Sequence, residues 1–330
     1  MGSVENEQLS RRALLGTVTA AAIAAQATAA PRVRPKEWKP RLGVLGQFTA
    51  ANLDFAAGAG FNNMILSANE RTTLDASTIT PERIQEVKSA LAAKNVTASA
   101  LQINASHIDP NPEKRARDTD YFAKAIEMAG HLGVPYIGTQ SGKDESKTFQ
   151  AQVDEIVRVY HEKYFANCEK YNVKILWEPW PGGANIATSP VGFAALFKAF
   201  GDTPYVGLQY DPSHLVWQMM DPIQTAQDFV GKIYDVHLKD TQIHWDVLKR
   251  GGIQPVDKAR WWQYRIPGMG SIKWNEFFSV LQAAGYQGAM SIEHEDELYG
   301  AGTNHGPDFS DEFKVGFRMA KRYLNQYVPV

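Results

Sequence analysis

The hydrophobic residues change their period repeatedly along the chain. Short apolar runs occur at Leu42–Phe48, Asn63–Ser67, Thr97–Ile103, Tyr136–Thr139, Lys174–Glu178, Val206–Tyr210, Tyr234–Leu238 and Ala289–Glu293. Most are continuous rather than alternating, the pattern of strands buried on both faces. Between them the apolar positions recur every three or four residues. Ile84, Val87 and Leu91 share one helical face, as do Trp274, Phe277, Phe278 and Leu281. A last helix carries Phe313, Phe317, Ala320, Leu324 and Tyr327 at alternating steps of four and three. Punctuation agrees with the periods. Thr80-Pro81 and Ser189-Pro190 read as an N-cap followed by proline in the first turn. Gly133, Gly201 and Gly285 stand where helices should end.

Eight strand–helix units in roughly 300 residues is the size of a (β/α)8 TIM barrel, an α/β fold. The competing doubly wound sheet usually has a glycine-rich phosphate turn after its first strand. Here that strand runs into Gly46-Gln47-Phe48-Thr49, which is no such turn. The longest irregular piece is Thr241–Met269, with Trp245, Trp261, Trp262 and Tyr264. A loop of that length in a compact domain reads as functional, or as one pinned down by its aromatic residues.

The first 30 residues follow another logic. Arg11-Arg12 precedes an Ala/Thr/Val run ending in Ala27-Thr28-Ala29, with Pro31 beyond. This is the make-up of a twin-arginine signal peptide, so residues 31–330 are read as the barrel and the protein as exported to the periplasm or beyond. The apolar run is too short and alanine-rich for a stable membrane anchor. A net charge of −2 offers no basic field for nucleic acid or an acidic membrane. Cys168 is alone, which excludes an intramolecular disulfide, and reads as a small buried hydrophobe.

Chemistry concentrates at the ends of the late strands. Glu178, Asp211, His237 and Glu293 each close a run, and in a barrel these ends converge on one rim. Three carboxylates gathered there repel one another and are costly to bury; a divalent cation resolves both problems. Carboxylates with one imidazole suit Mn²⁺ first, with Mg²⁺, Co²⁺ or Zn²⁺ as alternatives. His107 and Gln140, after the third and fourth runs, are further rim candidates for substrate contact, although His107 also reads as an ordinary loop residue. Trp180, beside Glu178, offers a flat face to a sugar ring or to the core.

Trp177-Glu178-Pro179, Asp211-Pro212-Ser213-His214, Val236-His237-Leu238-Lys239-Asp240, Arg265-Ile266-Pro267-Gly268-Met269-Gly270 and Ser291-Ile292-Glu293 together resemble the sugar isomerase/epimerase superfamily, the xylose-isomerase-like barrels. The resemblance covers essentially the whole chain after the signal. It implies one divalent metal on Glu178, Asp211, His237 and Glu293. It further implies that Glu178 and Glu293 face the substrate as an acid/base pair, and that His214 and Arg265 contact substrate oxygens. Removing a proton next to a sugar carbonyl requires the enediolate oxygens to be stabilised, which a metal supplies. Relatives in that family often pair, so a homodimer is compatible with the sequence. Met269 stands where many members carry an acidic residue, and His294-Glu295-Asp296-Glu297 is denser in charge than the usual ending.

No arginine cluster or glycine turn for a phosphate is present, and export argues against phosphorylated sugars. The expected substrate is an unphosphorylated sugar, keto-sugar or glycoside, and the expected reaction isomerisation or epimerisation. A lyase cleaving 3-keto-glycosides by β-elimination is the first alternative. A non-catalytic periplasmic sugar-binding barrel is another. A metal-dependent endonuclease is disfavoured by Ser67-Ala68-Asn69, which lacks the extra histidine, and by the net charge.

Overall fold

The computed structural model describes residues 38–328; the twin-arginine segment with Arg11 and Arg12 lies outside them. Eight parallel strands close into a barrel: β1 (Arg41–Gln47), β2 (Asn63–Ser67), β3 (Thr97–Gln102), β4 (Tyr136–Thr139), β5 (Lys174–Trp177), β6 (Val206–Tyr210), β7 (Ile233–Leu238) and, after a two-stranded insertion, β10 (Ala289–Ile292). Around the barrel the order is β1-β10-β7-β6-β5-β4-β3-β2, with β10 pairing β1 in parallel to close it. Helices lie between the strands, and no described helix is long and apolar enough to cross a membrane.

The helix ends obey the punctuation of the sequence. Thr80 and Ser189 cap their helices by accepting from the amides of Arg83 and Gly192. Gly133 ends the helix Pro112–Leu132 in the left-handed conformation that glycine adopts without strain. The stretch from Tyr160 to Tyr171 is two helices, broken at Tyr164 between Phe149–Lys163 and Phe165–Tyr171. Cys168 is buried there, and burial pushes its thiol up to about 12.

Two expectations need correction. Thr241–Met269 is not irregular throughout. β8 (Asp240–Ile243) and β9 (Trp262–Arg265) pair antiparallel, with a helix at Trp245–Gly251 between them. The short strands and intervening glycines hid the hairpin. The late barrel strands are also not apolar on both faces. Side chains alternate across a strand, so Asp235 and His237 share one face of β7, and Lys239 follows in phase. Ser291 on β10 shares its phase with Glu293 and Glu295 beyond it. Val236 and Leu238 on β7 and Met290 and Ile292 on β10 take the alternate positions and are buried.

Candidate metal centre

The C-terminal ends of β5, β6, β7 and β10 deliver Glu178, Asp211, His237 and Glu293 to one place. One ligand atom from each lies within 4.8 Å of all the others. His237 Nδ1 is 3.0 Å from Glu293 Oε2, 3.3 Å from Glu178 Oε1 and 4.0 Å from Asp211 Oδ2. Asp211 caps the short helix Pro212–Trp217, where its Oδ1 accepts from the Ser213 amide at 2.8 Å. Its Oδ2 is buried and has no hydrogen bond. A buried carboxylate oxygen with ion-pair neighbours but no hydrogen bond, among two other carboxylates and an imidazole, fits a hard or borderline divalent cation.

His214 and Lys239 complete the cluster. His214 Nε2 lies 3.3 Å from Glu178 Oε1 and 3.4 Å from Asp211 Oδ2, and its Nδ1 is 3.0 Å from the Tyr264 hydroxyl. Lys239 is fully buried. Its Nζ donates to Glu293 Oε2 and Glu295 Oε2, each at 2.7 Å, and lies 3.2 Å from Asp211 Oδ2.

The charges support one another. Burial and the Glu293 charge push Glu178 upward, but His237 and the hydrogen bonds from His214 and His237 outweigh them and hold it at about 2. Burial also raises Glu293, and Lys239 with His237 drives it well below the usual carboxylate range. Burial favours neutral His237, yet Glu293 and Glu178 hold its proton well above the ordinary imidazole range. Without a metal, His237 and Lys239 therefore both bring positive charge to the cluster.

The cavity over this cluster has a volume of about 240 Å³. Its walls include Gln102, Asn69, Asn104 and Gln140, all neutral amides, together with Trp180 and His214. Gln102 Nε2 donates to Glu178 Oε2 at 2.9 Å, and Gln140 Nε2 to Asn104 Oδ1 at 3.0 Å.

Two expected contact residues lie elsewhere. His107 is not a rim residue. It is buried against Phe122, Tyr160 and Tyr164, with Nδ1 2.8 Å from the Tyr164 hydroxyl and Nε2 3.3 Å from Thr139 Oγ1. The segment after β3 folds inward there, and helices cover the ring. Arg265 turns away from the carboxylate cluster and donates from Nε to Asp296 Oδ2 at 2.8 Å. The antiparallel register of the hairpin places its neighbour Tyr264 against His214 instead. The turn Arg265–Gly270 wraps buried Asp240, which accepts from the Gly268 and Ile272 amides and from Trp274 Nε1. Gly268 has φ +90°, and a Cβ at Gly270 would meet Asp240 Oδ1 at 2.2 Å, so this motif shapes the turn.

From the sequence, Lys239, Gln102, Tyr264 and Glu295 received no role at the site. The alternation His237-x-Lys239 and Glu293-x-Glu295 was the available signal for two of them. Nothing local marked Gln102 or Tyr264.

The sequence profile of the Xylose isomerase-like TIM barrel family matches residues 53–314. The chain belongs to that family. It is 30% identical over 280 residues to the uncharacterized protein YfiH of Bacillus subtilis (strain 168), covering 74% of this chain and 87% of that one. A shorter match, 30% over 97 residues, links 29% of the chain to 33% of an inosose dehydratase of Bacillus thuringiensis (strain Al Hakam). Among solved structures, a xylose isomerase domain protein from Planctomyces limnophilus superposes with TM-score 0.68 at 17% identity, over 88% of this chain and 97% of that one. The 3-keto-D-glucoside 4-epimerase YcjR of E. coli superposes with TM-score 0.60 at 15% identity, over 87% and 100%.

Proposed function

We propose that the protein is a metal-dependent isomerase or epimerase that moves a proton next to the carbonyl of an unphosphorylated sugar or keto-sugar. One observation carries the reading: two ionised carboxylates, Glu178 and Glu293, meet His237 and Asp211 beneath a cavity whose wall includes four neutral amides, Asn69, Gln102, Asn104 and Gln140. Amides match sugar hydroxyls as both donors and acceptors. A phosphate would find no arginine among the lining residues, and Lys239, the cation there, is already shared by carboxylates. The 3-keto-glucoside epimerase with the same fold supports the substrate class.

Glu178, Asp211, His237 and Glu293 would hold the ion, with Mn²⁺ the best match to this donor set. When bound, it supplies positive charge to the carbonyl and adjoining hydroxyl oxygens. Both glutamates are ionised at neutral pH, the state that a base requires. One takes the proton at a carboxylate oxygen and the other returns a proton, to the opposite face or the neighbouring carbon. His214 and Gln102 fix Glu178 through its two oxygens, and Lys239 fixes Glu293. The export of the chain through Arg11-Arg12 belongs to the same proposal, because periplasmic sugars are unphosphorylated.

A second reading is elimination. Lys239 Nζ, 2.7 Å from Glu293 Oε2, is placed to protonate a departing oxygen while a glutamate holds the carbon proton. The match to an inosose dehydratase favours it. Incubation with Mn²⁺ in deuterated water, using free ketoses and keto-glycosides, separates the two. Deuterium uptake with a new epimer supports the first reading, and aglycone release without an epimer supports the second. Absence of exchange with every keto-sugar under Mn²⁺, Mg²⁺, Co²⁺ and Zn²⁺ overturns both.

A further inference from the structure

The cavity over the carboxylates has a neighbour. A second cavity, about 330 Å³, lies between β9 and the segment after β10, and Glu295 lines both. Tyr264 joins them as well. It lines the second cavity, while its hydroxyl reaches His214 and its ring carries Lys239 Nζ 4.6 Å from the centroid. The first cavity alone is smaller than the ~300–1,000 Å³ usual for a small-molecule site, and the two together lie well within that range.

From this geometry we infer that the second cavity is a subsite for the second ring of a glycoside, whose first ring sits over Glu178 and Glu293. This rests on the sugar reading above and narrows it from free sugars to glycosides. The chemistry of the walls selects the occupant. Arg260, the cation lining this cavity, is held by both carboxylate oxygens of Glu297 at 2.8 Å each, so a second anionic group would find no free countercharge. Glu295 and Glu297 offer acceptors to hydroxyl groups. Asn304 Oδ1 is taken by the Ser310 amide, which leaves its Nδ2 to donate. Tyr264 supplies an aromatic wall. Carboxylate and amide acceptors and donors beside an aromatic ring suit a neutral polyol. Glu295, held by Lys239 with 44% of its side chain exposed, stands where the linkage between the two rings would lie.

Gly302 gives the test its handle. It lines the second cavity, and a Cβ there would meet nothing closer than Glu297 Cγ at 4.0 Å, so a large side chain fills the space. The probes are the 3-keto form of methyl glucoside and the 3-keto form of cellobiose, assayed with the Mn²⁺-loaded protein and its Gly302→Phe and Gly302→Ala variants. The wild type should show a KM at least tenfold lower for the keto-disaccharide than for the methyl glycoside. Gly302→Phe should collapse that ratio toward one while Gly302→Ala retains it, with melting curves checking that both fold. A crystal soaked with the keto-disaccharide should place its second ring beside Tyr264. Equal KM values in the wild type overturn the subsite while leaving the sugar reading standing, and so does a Gly302→Phe variant that folds and keeps the ratio. If neither keto-glycoside is bound or consumed while a free ketose exchanges its proton, the subsite alone falls; if free ketoses also fail under all four metals, the sugar reading falls with it.

Discussion

Two of the histidines buried toward the C-terminal end of this barrel, His107 and His237, have environments that make them opposites. His107 sits among Phe122, Tyr160 and Tyr164, and burial pulls its pKa down to about 3. His237 is equally buried, yet Glu293 and Glu178 hold its proton well above the ordinary range. Burial works in the same direction on both, so neighbours decide the charge. The neutral ring in an aromatic cage bonds hydroxyl groups and serves packing. The charged one balances carboxylates and stands where a metal would displace its proton.

The largest effect that tests this contrast is on turnover. Glu293→Gln should lower the rate on a keto-sugar by about 10²–10⁴-fold, the range for losing an acid/base group. Steady-state kinetics would show this, and a rate within tenfold of wild type would place the base elsewhere. Next comes Lys239→Met, which removes a fully buried cation from the metal-free cluster. An uncompensated buried charge costs about 3–5 kcal/mol, so the metal-free variant should unfold at markedly lower denaturant. Added Mn²⁺ should recover most of the loss. Unchanged metal-free stability would show that Lys239 does not balance the carboxylates.

His237→Gln should weaken Mn²⁺ binding by more than about 100-fold, beyond what losing a supporting contact costs. Titration calorimetry measures it, and a change under tenfold would remove His237 from the ligand set. The proton on His237 also sets a pH dependence. Its folded pKa is raised, so its contribution to metal-free stability is full below the unfolded value near 6.5 and fades as pH climbs through the folded value. The metal competes with that proton, so Mn²⁺ affinity should rise about tenfold per pH unit in the same window. The metal-dependent gain in stability therefore widens as pH rises, and a flat affinity profile from pH 6 to 8 would contradict the assignment. The smallest effect on the metal belongs to His107→Phe. It leaves the Tyr164 and Thr139 hydroxyls without a partner and should cost about 1–3 kcal/mol of stability. Mn²⁺ affinity should stay within twofold; a larger loss would join the aromatic cage to the metal centre.

The barrel was legible because its signals are local and repeated. Each apolar run and each capped helix is set by neighbours a few residues away, and eight such units admit few topologies. The convergence of the quartet that could hold a metal was legible because all its members sit at the same point of their units, and strand ends in a closed parallel barrel meet. Residues outside that regularity were read less well. His107 followed a strand and looked like a rim group, and Arg265 was set on the substrate by the family resemblance alone. A segment that folds inward buried one, and a hairpin register turned the other to Asp296 while bringing Tyr264 to His214.

By itself, then, the sequence determined the eight units and the convergence of Glu178, Asp211, His237 and Glu293, because spacing along a strand maps directly onto height in a barrel. Only the tertiary structure decided the charge state around them, the place of Lys239 between Asp211, Glu293 and Glu295, and the second cavity that shares Glu295. Those depend on distances between segments far apart in the chain, and a Coulomb interaction or a cavity wall is set by separation in space, on which sequence order places no bound.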